Sequence, residues 1–134
     1  MLRGMSSEAL IDQWRSLSLR YNEIACRLER GLNEAHDVSM NEFETLDRLA
    51  EQGSHARMQE LAAEMYLSQS ALSRTVARLE RAGLVRRALC EADRRGVFVE
   101  ITDAGRQRHT EAAETHLAIL AGSLQPATRG ARAR

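Results

Sequence analysis

A mainly helical fold carrying a small β-hairpin is what this sequence predicts. Three observations point there. Apolar residues recur with helical period from Ser6 to His36 and again in three shorter stretches before Gly83. After Gly83 the period changes to alternation, with Val97, Val99 and Ile101 on one side and Phe98 and Glu100 on the other. Pro126 is the only proline, and neither a Pro/Gly-rich linker nor an internal repeat divides the 134 residues. The expectation is a single domain, 1–134, with one core.

The elements follow in order. Leu10, Leu17 and Ile24 recur every seven residues, and Trp14, Tyr21 and Leu28 keep the same step four residues on. Together they make one apolar stripe on a long helix. About 30 residues is long for a helix serving one small core, so part of the stripe is expected to pack on another subunit. Ser39-Met40-Asn41-Glu42 has capping-box spacing, which starts a second helix with Phe43, Leu46 and Leu49 inward, ending before Gly53. A short third helix runs from Met58 to about Tyr66 with Leu61, Ala62 and Met65 buried, and Leu67-Ser68 breaks it. Ser68 caps a fourth helix from Gln69 to about Ala82, with Leu72, Val76 and Leu79 turned to the core and Gly83 closing it. Leu84–Leu89 and Gly96–Ile101 read as two strands, joined through the polar stretch Cys90 to Arg95. Thr102 or Asp103 then caps a fifth helix carrying Ala112, Ala113, Leu117 and Leu120, which fades after Gly122. The polar, small-residue-rich tail, 123–134, is expected to fray.

Charge is distributed unevenly along this frame. The chain has no lysine, and 19 arginines balance 19 acids. Residues 1–67 carry seven arginines against twelve acids, whereas residues 68–108 carry nine against five. An acidic first half and a basic centre point to an anionic partner for the centre. No apolar run approaches the ~20 residues of a membrane span. The N-terminal residues MLRGMSSEAL show no signal-peptide pattern, so a cytoplasmic protein with no membrane partner is expected.

Two helices joined by a tight turn, then a hairpin with a basic tip, describe a winged helix-turn-helix, and double-stranded DNA is the partner it suits. The third helix holds the fourth, whose polar N-terminal half can enter a major groove. Ser68, Gln69, Ser70, Ser73 and Arg74 lie on or near its leading face. Arg78 stands one turn beyond, suited to a phosphate or a guanine edge, and Arg87 follows on the first strand. At the hairpin tip, Arg95 is the candidate for a minor groove, where negative potential is enhanced. Arg94 suits the DNA backbone, and Asp93 can hold the Arg95 guanidinium as a fork. Three other readings stay open: Arg74 and Arg78 as a solvated helix face, Arg95 as an exposed hairpin charge, and Asp93 as a turn residue only.

The stretches LSQSALSRTVARLERAGLVRR and DRRGVFVEITDAG resemble the MarR family of bacterial transcription regulators. The matching segments are Gly83-Leu84-Val85-Arg86-Arg87, Asp93-Arg94-Arg95 and Ile101-Thr102-Asp103-Ala104-Gly105, in register from about Leu61 to Gly105, roughly a third of the chain. The resemblance implies a homodimer with interlocking terminal helices and two winged domains reading a palindromic operator as a repressor. It also implies a small phenolic or anionic effector in a cleft between the dimerisation and DNA-binding parts, with cysteine oxidation or a metal as signals in other members. On this reading 1–36 and 103–122 dimerise through Leu10, Trp14, Leu17, Tyr21, Leu117 and Leu120, and 39–102 binds DNA. The family pattern also has a further helix after the fifth. Residues 122–134 lack an apolar stripe, so the first and fifth helices are left to supply most of an interface.

Other chemistry is less well supported. Cys26 and Cys90 have no C-x-x-C spacing and read as free thiols, either redox sensors or small buried hydrophobes. His109 and His116 share a helix face, and with His36 and Glu111 or Glu114 they form a weak metal set; no metal and no cofactor are expected. There is no nucleophile elbow, phosphate-cradling glycine loop or paired motif histidines, so no enzyme is expected. The competing function is a winged-helix protein-interaction module that has lost DNA reading.

Overall fold

The structure is a computed structural model that describes residues 4–90 and 93–124, with the backbone alone at 90 and 93–95. Its elements run α1 (Ser7–His36), α2 (Met40–Glu51), β1 (His55–Arg57), α3 (Met58–Glu64), α4 (Gln69–Arg81), β2 (Val85–Cys90), β3 (Asp93–Ile101) and α5 (Asp103–Ser123).

The helix boundaries follow from side chains that satisfy orphan backbone groups. The Ser6 hydroxyl accepts the Ala9 amide and the Ser68 hydroxyl accepts the Ala71 amide. Ser39 and Glu42 close the full capping box on α2. At the other end of α4, Gly83 adopts φ +79°, its amide bonds the Glu80 carbonyl and the Leu84 amide bonds that of Leu79. This left-handed closure suits glycine because a Cβ is strained there. Tyr66 makes the same closure on α3 with φ 56°, so the turn between α3 and α4 is built without a glycine.

The core takes Leu28 and Leu32 from α1, Phe43, Leu46 and Leu49 from α2, Leu61 from α3, and Leu72, Val76 and Leu79 from α4. Val85, Val99 and Ile101 add the inward face of the sheet, and Ala112 adds α5. The alternation read in β3 is therefore real: Val99 and Ile101 are buried, while Phe98 and Glu100 are half-buried on the other face.

Four expectations are corrected. The hairpin is the larger part of a three-stranded antiparallel sheet, in the order β1-β3-β2. β1 pairs His55 with Glu100, Ala56 with Val99 and Arg57 with Phe98. Three residues are too few to show a period, and their pairing partner lies far along the chain. The strands also extend past the expected bounds. β3 starts at Asp93, and the register jumps from Leu89↔Val97 to Cys90↔Asp93 across an irregularity. Much of the polar stretch is thus part of the ladder, because alternation of apolar residues marks only where a strand is buried, not where it ends. Met65 is half-buried, its sulfur 3.7 Å from the Thr45 hydroxyl. Cys26 is exposed rather than a buried hydrophobe, because it lies on the flank of α1 away from Leu28 and Leu32.

The stripe of α1 divides along its length. Ile24 packs against the core, while Leu17 and Tyr21 are exposed and Trp14 is 65% exposed; Leu10 is half-buried. α5 packs along α1, with Ile119 over Gly31 and the Ser123 hydroxyl and carbonyl receiving Arg27 and Arg20. On α5 Leu117 is exposed and Leu120 is half-buried against the core. Among the described residues no helix is long and apolar enough to cross a membrane.

The start of α5 is locked onto the end of α4. The Thr102 hydroxyl accepts the Gly105 amide and donates to the Gly83 carbonyl at 2.7 Å, and the Thr102 amide bonds the Leu84 carbonyl. A Cβ on Gly105 would stand 2.1 Å from that same Leu84 oxygen. Helix propensity alone predicts that Gly105→Ala stabilises the protein. The close approach predicts the reverse, a loss of about 1–3 kcal/mol in urea unfolding. A variant as stable as the parent contradicts this packing.

Candidate nucleic-acid interface

α4 is amphipathic in the direction that matters. Its apolar stripe is buried to 1% exposure or less at Leu72, Val76 and Leu79. The opposite flank has no choice but to face out. Ser68, Gln69, Ser70 and Arg74 are exposed, and Ser73 is half-buried. Arg74 has no side-chain partner among the described residues. The Ser68 cap uses one amide at the N-terminus of α4, and the helix dipole adds positive potential at the same end.

Arg78, Arg87 and Arg86 are engaged. Arg78 donates from Nε to Oε2 of Glu42 at 2.7 Å. Arg87 reaches from β2 to α4, its Nε 3.2 Å from Glu80 Oε1 and its Nη2 3.3 Å from the Ser73 carbonyl. It thereby ties the first strand of the wing to the flank of α4 that carries Arg74. Arg86 pairs across the ladder with Glu100 at 3.4 Å. The expected interface residues at the wing tip, Asp93, Arg94 and Arg95, have their backbone at the start of β3, and their side chains lie outside the described residues, as does that of Cys90.

Glu42 and Glu80 escaped the sequence reading. Glu42 was legible as a capping residue, but nothing local signals that its second oxygen meets an arginine 36 positions later. Glu80 lies seven residues before Arg87, across the Gly83 turn, a spacing with no helical meaning.

The histidines are not gathered into a metal-ligand set. His36 Nε2 is 2.6 Å from the Thr115 hydroxyl, and His109 Nε2 is 2.7 Å from Asp47 Oδ1. Phe43 stacks on both His109 and His116, at ring separations of 5.4 and 4.4 Å. Among the described residues no three His, Cys, Asp or Glu side chains converge. These contacts join α5 to the end of α1 and to α2 instead.

Two open clefts border α2. One, of about 540 Å³, is lined by Glu29 and Asn33 of α1, the start of α2 and Arg74 and Arg78 of α4. The other, of about 330 Å³, lies among Tyr21, Leu28, Met40, Met65, Tyr66 and His116.

The sequence pattern of the MarR family matches residues 38–97. A comparison with curated protein sequences finds no significant match. Among solved structures, the chain is similar to AbsC, a MarR family transcriptional regulator from Streptomyces coelicolor. The two share 32% identity over 93% of this chain and 86% of that one, with a TM-score of 0.81. It is similar to Sco3205, a MarR family transcriptional regulator from the same organism solved in complex with DNA. That match has 32% identity over 91% of this chain and 77% of that one, with a TM-score of 0.82. The transcriptional regulator BldR from Sulfolobus solfataricus is 30% identical over 87% of this chain and 83% of its own, with a TM-score of 0.79.

The cap on α4 gives a test of where that helix end sits. Ser68→Ala removes the cap and is expected to cost about 1 kcal/mol in thermal unfolding. Ser68→Asp keeps the cap and adds negative charge at the positive end of the helix, so stability is retained. If this helix end meets phosphate, Ser68→Asp weakens duplex binding despite normal stability. Unchanged binding by that variant contradicts the placement.

Proposed function

The chain belongs to the MarR family of transcriptional regulators, and on that premise we propose that it acts as a homodimer reading a palindromic operator in duplex DNA. The observation that carries this reading is the flank of α4. Its apolar side is consumed by the core, so Ser68, Gln69, Ser70, Ser73 and Arg74 are what the helix presents to a groove. Arg74 suits the O6/N7 edge of a guanine, which accepts a guanidinium in a bidentate pair. Arg87 and Arg78 stand beside it, each already fixed by a carboxylate. Arg94 and Arg95, with Asp93, are assigned to the wing contact, Arg95 in the minor groove.

The dimer reading rests on the exposed run of α1. Trp14, Leu17 and Tyr21, with Leu117 of α5, leave more large apolar surface in water than a lone chain usually shows. Leu10 and Leu120 flank it, half-buried. Residues 1–36 and 103–122 therefore form the dimerisation part, and 39–102 the DNA-binding part. The cleft of about 330 Å³ lies between them, and its aromatic lining suits a small phenolic effector that releases a repressor from DNA.

The experiment is duplex binding by fluorescence anisotropy, using a site selected from random sequences, with light scattering for the oligomeric state. A dimer is expected, with affinity falling steeply as salt rises, because arginines displace condensed counterions. Arg74→Ala is expected to lower affinity for the selected site about tenfold or more, with little effect on unselected duplex. A monomer that ignores duplex DNA at low salt contradicts the proposal.

A further inference from the structure

We propose that Glu42, although it is buried beneath the DNA-facing surface, is a determinant of operator specificity because it sets the seat of the recognition helix through Arg78. This inference rests on the DNA-binding reading above.

Glu42 is 4% exposed, so it cannot meet a nucleic acid itself. Both its carboxylate oxygens are committed. Oε1 accepts the Ser39 amide at 2.8 Å, and Oε2 accepts Arg78 Nε at 2.7 Å. A buried carboxylate that loses its cation is left with an uncompensated charge, so the pair resists being opened. Arg78 is held at its inner nitrogen while its side chain remains 62% exposed. Arg74 stands one turn earlier on the same flank of α4 and lines the same cleft. A roll of α4 about its axis would therefore break the Glu42 contact and move Arg74 together.

The strut is also referenced to the dimerisation helix. Glu29 of α1 accepts the Met40 amide through Oε1 and the Asn33 side chain through Oε2, each at 2.9 Å. Glu29, the start of α2, Glu42 and Arg78 thus form one polar path from α1 to α4. In a dimer built on α1, this path relates the angle of each recognition helix to the dimer axis. That angle decides whether two half-sites are met in register.

Simple electrostatics and positioning predict opposite signs for Glu42→Gln. Removing a carboxylate near a polyanion should strengthen binding to any duplex. Loss of the strut should weaken binding to the operator alone. Glutamine still serves at this position of a capping box, so α2 keeps its start. The test measures affinity for the selected site and for unselected duplex across a salt series. It compares wild type, Glu42→Gln, Glu42→Asp and Ser39→Ala. Glu42→Asp keeps the net charge and draws the carboxylate back by one methylene. Ser39→Ala damages the cap without touching Arg78.

Both Glu42 variants are expected to lose at least about fivefold in the ratio of selected to unselected affinity. The slope of log affinity against log salt is expected to stay at the wild-type value, since no phosphate contact is removed. Ser39→Ala is expected to melt earlier with its ratio intact. If either folded Glu42 variant keeps the wild-type ratio, the inference is overturned while the DNA-binding reading stands. If wild type binds no duplex, both fall.

Discussion

The apolar stripe of α4 constrains the rest of the molecule. Leu72, Val76 and Leu79 are driven out of water, and each fully buried side chain of this size contributes roughly 1.5–3 kcal/mol. Rolling the helix to hide its arginines would expose all three, a cost of roughly 5–9 kcal/mol, comparable to the whole stability of a domain. The exposed Arg87–Glu80 pair on the other flank contributes about 0–1 kcal/mol and cannot compete. Hydrophobic burial therefore decides which side of α4 faces out, and polar contacts only adjust its angle. The function follows from the side that burial leaves over.

Around that helix the remaining elements act as clamps at both ends. At its start, the turn through Tyr66 and the Ser68 cap bring α4 out of α3 within four residues. At its end, Gly83 turns the chain into β2, and Thr102 with Gly105 seats α5 on the same turn. Arg87 ties the wing strand to the side of the helix at Ser73 and Glu80. α4, β2 and α5 are thus joined by contacts within a few ångströms of the Gly83 turn. The start of α5 and the end of α4 are therefore held to the same turn.

Much of this was legible in the sequence, for identifiable reasons. Local rules place the helices: Ser39, Ser68 and Thr102 cap where a hydroxyl at that position should, and Gly83 ends α4 where a residue of positive φ is required. Periodicity separates Leu72, Val76 and Leu79 from Ser70 and Arg74. What was not legible is long-range. β1 is three residues with no pattern of their own, made a strand by β3. Arg78 and Glu42 form a pair that only packing brings together; the sequence shows Glu42 as a cap and Arg78 as a contact for a phosphate or guanine edge or a solvated helix face, and neither as the other's partner. Gly105 was visible as part of a motif, but its need to be glycine lies in the Leu84 carbonyl beside it. The bounds of the wing strands were misplaced because backbone pairing continues past the last alternating residue.

The central claim is that the outward flank of α4 sits in a major groove. Dimethyl sulfate protection on a selected duplex reads guanine N7 at the floor of that groove. Guanines protected in two blocks about one helical turn apart, ~10 bp, are expected, with the protection at one guanine per block lost in Arg74→Ala. Full binding with every guanine N7 still reactive would contradict it.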